Sequence, residues 1–96
     1  MAAYVISEVE VLDEDSFEQY RTRAQISIEQ HGGRYLARAV LPEAAEGDWS
    51  PQRRLVIVEF PDMDTLQRWY SSEAYAQALA FRDRALSRRL LFVDGV

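Results

Sequence analysis

Neither cysteine nor lysine occurs in this chain, and His31 is its single histidine. Without cysteine there is no thiolate nucleophile, disulfide or iron–sulfur cluster, and without lysine no Schiff base on the protein. One histidine cannot furnish a multi-histidine zinc site within a protomer, and carboxylates alone suit harder cations, so no metal is expected. A Ser-His-Asp arrangement has no G-x-S-x-G elbow to sit on. No apolar run approaches the roughly 20 residues of a membrane span, which argues against a membrane partner. The opening Met-Ala-Ala-Tyr-Val-Ile-Ser-Glu lacks the basic segment of a secretory leader, and the expected location is the cytoplasm.

What is present describes one ordinary globular domain. The 96 residues are 48% apolar and 28% charged, which fits a single folding unit over 1–96 rather than a disordered segment. The formal charge is −5, and all eleven basic residues are arginine. A phosphate backbone would be repelled unless those arginines clustered, so nucleic acid is not an expected partner.

Residues 4–11 are β-branched and run into an acidic cluster, as a first strand would. Asp13-Glu14-Asp15-Ser16 opens a helix with acids at the positive end of its dipole. Phe17, Tyr20, Ala24, Ile28 and His31 follow at helical spacing as one buried stripe, with Ile26 on the far side. Gly32-Gly33 ends that helix. Residues 34–40 form a second strand, 41–52 a loop with proline near both ends, and 53–60 a third strand. Pro61-Asp62 starts a helix with Met63, Leu66 and Tyr70 on one side. Ser71-Ser72 breaks it, and a further helix carries Tyr75, Leu79, Arg82 and Leu86 on one face. Leu90-Leu91-Phe92-Val93 is the fourth strand. The order β-α-β-β-α-β, with the second helix broken, is a ferredoxin-like α+β fold around a four-stranded antiparallel sheet.

A sheet wet on one side should alternate apolar and polar residues. Leu55-Val56-Ile57-Val58 does not, nor do Tyr4-Val5-Ile6 and Leu90 to Val93. Helices on one side cover only one face, so the second is expected to pair with a second copy of the chain. The bland alternative is a monomer whose 41–52 loop folds across that face.

The chain also resembles domain-of-unknown-function family thirteen-thirty of the dimeric α/β-barrel superfamily. The resemblance rests on Tyr20, the run His31 to Arg38, Glu46-Gly47-Asp48-Trp49, Pro51, Arg53, Glu59-Phe60-Pro61, Trp69-Tyr70, Ser72, Tyr75 and Arg82. Glu73 stands where many relatives have proline. The resemblance implies a homodimer with facing sheets and no established reaction. Related superfamily members include cofactor-free monooxygenases, haem-degrading enzymes, isomerases and dehydratases, which hold small ligands between helices and sheet.

Two functions therefore stand side by side. One is a small enzyme, without a tightly held cofactor, acting on a carboxylate-bearing or aromatic compound. The other is a non-catalytic dimeric module that binds a ligand or accompanies a pathway. For the enzyme, Glu59 and His31 are the candidate proton carriers. Arg38 and Arg82 are the candidate anion holders, since a guanidinium grips a carboxylate at two points. In a symmetric hairpin Arg38 lies near Leu55 and Glu59 near Arg34, all on one face with Leu36, Val40 and Ile57. The plain alternative is a cross-strand ion pair of Glu59 with Arg34 or Arg38. Tyr75 and Arg82, seven apart on one helix face, would offer a hydroxyl and a cation together, or simply an amphipathic surface. His31 sits in a last helical turn, where capping competes with proton transfer. Haem ligation by His31 is a third reading, and predicts a coloured protein. Tyr20, Trp69 and Tyr70 would build an aromatic wall or pack as core. Trp49, in a polar loop, would reach over its own pocket or across to a partner.

Overall fold

Alternation along β1 (Ala3–Val11) defines the two faces of the sheet. Ala3, Val5, Ser7 and Val9 are buried on one side, while Tyr4, Ile6, Glu8 and Glu10 are half-buried on the other. In the computed structural model, which describes residues 1–96, β1 pairs antiparallel with β3 (Arg53–Phe60) and β4 (Leu86–Asp94). β2 (Arg34–Val40) joins β3 at the edge, giving the order β2-β3-β1-β4. The fold is the expected β-α-β-β-α-β arrangement with its second helix split.

Local chemistry places each helix. Asp13 caps α1 (Glu14–Gln30) by accepting from the Ser16 amide at 2.8 Å, and Asp62 caps α2 (Met63–Tyr70) through the Thr65 amide at 2.7 Å. Those bonds hold both carboxyls below their ordinary range. Ser72 caps α3 (Glu73–Ala85), its hydroxyl accepting from the Tyr75 amide at 3.1 Å. After α1 the backbone turns left-handed at Gly32, φ +76°. Gly33 is small for another reason: a β-carbon there would stand 2.7–2.8 Å from the Phe60 ring and Ile28 Cγ2.

Two helical expectations need correction. On α2 the buried residues are Leu66 and Trp69, whereas Tyr70 is exposed at its edge. At about 100° per residue, Trp69 lies 60° from Leu66 on the side facing the sheet, and Tyr70 turns the other way. On α3 the buried face is Tyr75, Ala78 and Ala85, and Leu86 already belongs to β4. The two alanines on this face let α3 approach α1 closely.

β2 does not pair evenly. Arg34 opposes Glu59 and Tyr35 opposes Val58, but Ala37 opposes Ile57 and Val40 opposes Leu55, so two register shifts intervene. Ala39 takes a positive φ of 52° within the second. For a residue with a β-carbon this costs on the order of 1–2 kcal/mol. The first shift turns Arg38 to the helix side of the sheet, where it lies over the Tyr35 ring.

The Cα envelope measures 34 × 33 × 15 Å, the thickness of one sheet and one helical layer. The far face of the sheet is open in the single chain. Leu36, Val40, Leu91 and Val93 are each 43–50% exposed there. The open loop 41–52 leaves them uncovered. No helix is long and apolar enough to cross a membrane.

Candidate functional site

Between α1, α3 and the covered face of the sheet lies a cavity of about 50 Å³, lined by 18 residues of which 14 are hydrophobic. Its floor is sheet: Val5, Ser7 and Val9 of β1 with Val56 and Val58 of β3. Trp69 and Tyr75 are fully enclosed in its walls, and their rings stand 4.2 Å apart between centroids. The most exposed lining residues are Arg21 on α1 and Arg38 on β2, so the opening lies between those elements.

Against this apolar lining the polar groups are few and specific. Arg88 of β4 lies opposite Val9 on the covered face, and its Nη1 donates to the Tyr20 hydroxyl at 2.6 Å. The Tyr20 and Tyr75 hydroxyls share a hydrogen bond of 2.7 Å. A guanidinium, two phenols and the cavity are thereby linked in a chain running from β4 through α1 to α3. The four ion pairs of the protein are Glu18–Arg21, Arg34–Glu59, Arg82–Asp83 and Glu8–Arg89; Arg88 and Arg38 have no carboxylate partner. Arg38 instead lies over the Tyr35 ring, 4.4 Å from its centroid.

Burial sets the protonation of these groups. It pushes the Tyr75 phenol well above its ordinary value, with the neighbouring Tyr20 adding to the rise. Burial also lifts Tyr35 to about 12, partly opposed by the Arg38 charge. At Arg88 burial works against the charge, but the oxygens of Tyr20 and Tyr75 outweigh it and its pKa is raised. At neutral pH the Tyr35 and Tyr75 phenols are therefore neutral, beside permanently charged arginines.

One hydroxyl is left over. Ser7, 4% exposed, is the buried side chain whose oxygen has no hydrogen-bond partner, and it lines the cavity floor. Leaving a buried hydroxyl unpaired costs on the order of 1–3 kcal/mol. The aromatic neighbours do not share this condition. Trp69 Nε1 donates to Ser27 Oγ at 3.0 Å, and Ser27 Oγ donates to the Ala24 carbonyl at 2.7 Å.

The residues singled out in the sequence scatter around this centre. Tyr20, Tyr75, Trp69 and Arg38 meet at the cavity. Arg38 and Glu59 do not share a face, because the β2 register shifts turn Arg38 toward the helices and leave Glu59 on the open side. Glu59 accepts from Arg34 Nε at 2.7 Å, the cross-strand pair. His31 ends α1, its Nδ1 2.8 Å from the Ser27 carbonyl, outside the cavity lining. Tyr75 and Arg82 do not act together either. Arg82 lies with Tyr70 and Asp83 in a separate outer groove, which shares Leu86, Arg88 and Leu90 with the cavity. Tyr70 packs edge-on to Phe92 at 5.3 Å. Trp49 donates its indole N–H to the Arg53 carbonyl at 2.9 Å, within its own loop and strand start.

Sequence reading passed over Ser7 and Arg88. The signal for Ser7 was its place in Ala3-x-Val5-x-Ser7-x-Val9, one hydroxyl on an otherwise apolar strand face. Arg88 stands two residues before Leu90 and so shares its face, a relation visible once β4 extends back to Leu86.

The model of the family described as Domain of unknown function (DUF1330) matches residues 2–96. The chain belongs to that family. No curated protein matches it. Among solved structures, this DUF1330 chain is similar to a protein of unknown function from Rhodopseudomonas palustris, at 15% identity and a TM-score of 0.77, covering 99% of this chain and 82% of that one. It is also similar to SnoaB, a cofactor-independent oxygenase from Streptomyces nogalater, at 11% identity and a TM-score of 0.72, with 99% and 93% covered. A protein from Caulobacter crescentus, described as a candidate antibiotic biosynthesis monooxygenase, matches at 14% identity and a TM-score of 0.69, with 99% and 90% covered. At such identities the shared property is the backbone fold, and the side chains of each site have to be read on their own.

Proposed function

We propose that this DUF1330 protein is a small-molecule enzyme of the cofactor-independent kind, acting in the cavity on a small carboxylate-bearing or aromatic compound. The observation that carries the reading is Ser7: a buried, unpaired hydroxyl on the floor of an apolar cavity whose other polar members are the Arg88–Tyr20–Tyr75 chain. An apolar cleft with a few convergent polar groups is the usual form of a small-ligand site. The likeness of fold to an oxygenase that works without a cofactor supports the same class.

Arg38 and Arg88 would orient the ligand, with Tyr20, Tyr75 and Trp69 shaping its walls. Glu59 and His31 stand away from the cavity, so proton movement within it falls to the Tyr20–Tyr75 pair. That same distribution favours the second reading, a non-catalytic ligand-binding module, because the cavity is lined by no carboxylate or imidazole. Tyr70, Arg82 and Trp49 belong to neither reading of the cavity itself.

We further infer that the protein acts in the cytoplasm as a homodimer, pairing the open sheet faces. Each open-face leucine, isoleucine or valine covered contributes roughly 1.5–3 kcal/mol. The pairs Arg34–Glu59 and Glu8–Arg89 lie toward the ends of the β1–β3–β4 apolar patch, as a polar rim would.

A thermal-shift screen of small carboxylates and aromatics tests the site, since a ligand that binds the folded state alone must raise its stability. Wild type gives at least one hit that Arg88→Met loses. A panel without any such hit would remove the cavity as a ligand site. Turnover of a hit compound would then separate enzyme from binding module.

A further inference from the structure

We infer that the cavity is a carboxylate site, in which Ser7 and Arg88 take the two oxygens of an ionised head group whose apolar body points toward the opening between α1 and β2. The inference deepens the functional reading above and rests on it.

The charge balance comes first. The titratable or charged groups facing the cavity are Tyr20 and Arg21 from α1, Tyr35 and Arg38 from β2, Tyr75 from α3 and Arg88 from β4. β1, β3 and α2 contribute none. That makes three arginines, three tyrosines and no carboxylate. Arg21 is engaged by Glu18 at 2.6 Å at the rim, which leaves Arg38 and Arg88 uncompensated. Arg88, held partly out of water with only phenol oxygens beside it, is suited to an anion.

Placement on the sheet comes second. Ser7 opposes Leu90 and Val9 opposes Arg88, so Ser7 and Arg88 are diagonal neighbours on one face of adjacent strands. Such neighbours have Cα atoms about 7–8 Å apart, a gap one arginine side chain and one planar anion can span. Arg38 lies on the same covered side of the sheet, two strands away from Ser7. It stands at the opening, where it meets the ligand on entry.

Size comes third. A cavity of about 150 Å³ is what accepts a whole benzene ring. The 50 Å³ here admits a carboxylate head or a few waters but not a ring and its substituent together. The enclosed part is scaled to the polar end of the ligand.

Calorimetric titration of the full-length protein with benzoate and its neutral isostere benzamide tests the assignment. Benzoate binds at least tenfold more tightly. Arg88→Met abolishes the preference. Ser7→Ala weakens benzoate several-fold while leaving the melting temperature equal or higher, since the lost hydroxyl had no partner to lose. Equal binding of the two compounds overturns the carboxylate assignment. A benzoate preference that survives Arg88→Met overturns it as well. Binding of neither, beside a hit elsewhere in the thermal-shift panel, overturns this inference alone; an empty panel overturns both.

Discussion

The hydroxyls of Tyr20 and Tyr75, 55 residues apart in sequence, stand 2.7 Å from one another, and Arg88 donates to the first at 2.6 Å. Since the Tyr20 oxygen already accepts from Arg88, the two phenols are not equivalent. Tyr20 takes the short bond from the half-buried cation, whereas Tyr75 bonds Tyr20 and stands near the same guanidinium.

The inequality predicts an order of stability. Tyr20→Phe removes the acceptor of the short charge-assisted bond from Arg88 and costs about 1–3 kcal/mol, while Tyr75→Phe removes one neutral hydrogen bond and costs about 1 kcal/mol. Urea unfolding of the two variants measures the difference. A larger loss for Tyr75→Phe would mean that Arg88 finds its acceptor elsewhere.

Alkaline pH should expose the buried phenols. Tyr35 and Tyr75 have folded-state pKa values raised by burial, to about 12 for Tyr35. Their contribution is complete below the unfolded value of about 10 and is lost as pH rises toward and through the folded values. Melting temperature is expected to fall steadily above about pH 10, and less steeply in Tyr35→Phe. Indifference of Tyr35→Phe to this window would show that its ring does not resist ionisation.

Gly33 is expected to be intolerant of a methyl group. Its β-carbon position lies 2.7–2.8 Å from the Phe60 ring and Ile28 Cγ2, both held in the core. Gly33→Ala should cost about 1–3 kcal/mol through overpacking. Chemical denaturation decides it, and a change under 0.5 kcal/mol, about the range of a neutral surface substitution, would mean that the two side chains shift freely.

Sheet pairing makes a prediction at Leu91 and Leu36, which are 43% and 50% exposed in the single chain. A glutamate at either would bury an unpaired charge in a face-to-face dimer, and Leu91→Glu should give monomers at micromolar concentration by sedimentation. A monomeric wild type would refute the pairing outright.

Elements, their order and the two-sided apolar character of β1, β3 and β4 were legible in the chain because periodicity and caps are local. Asp13, Asp62, Ser72 and Gly32 mark their helix ends by their own chemistry, with no knowledge of what packs beside them. The site was legible only in part. Tyr20, Tyr75 and Trp69 were named as aromatic candidates, yet nothing in their spacing joined them to Arg88.

What the sequence determined alone is therefore the ferredoxin-like order, the missing thiol and amine chemistry, and the apolar residues on both faces of its strands. The tertiary structure decided which side of the sheet each charge occupies. A one-residue shift in strand register turns a side chain from one face to the other. The first shift in β2, between Tyr35 and Ala37, separates Arg38 from Glu59, and no local pattern in residues 34–40 announces it. The guanidinium–phenol chain arises for the same reason, since its members come from α1, α3 and β4 and meet only when the sheet and its helices close over Ser7.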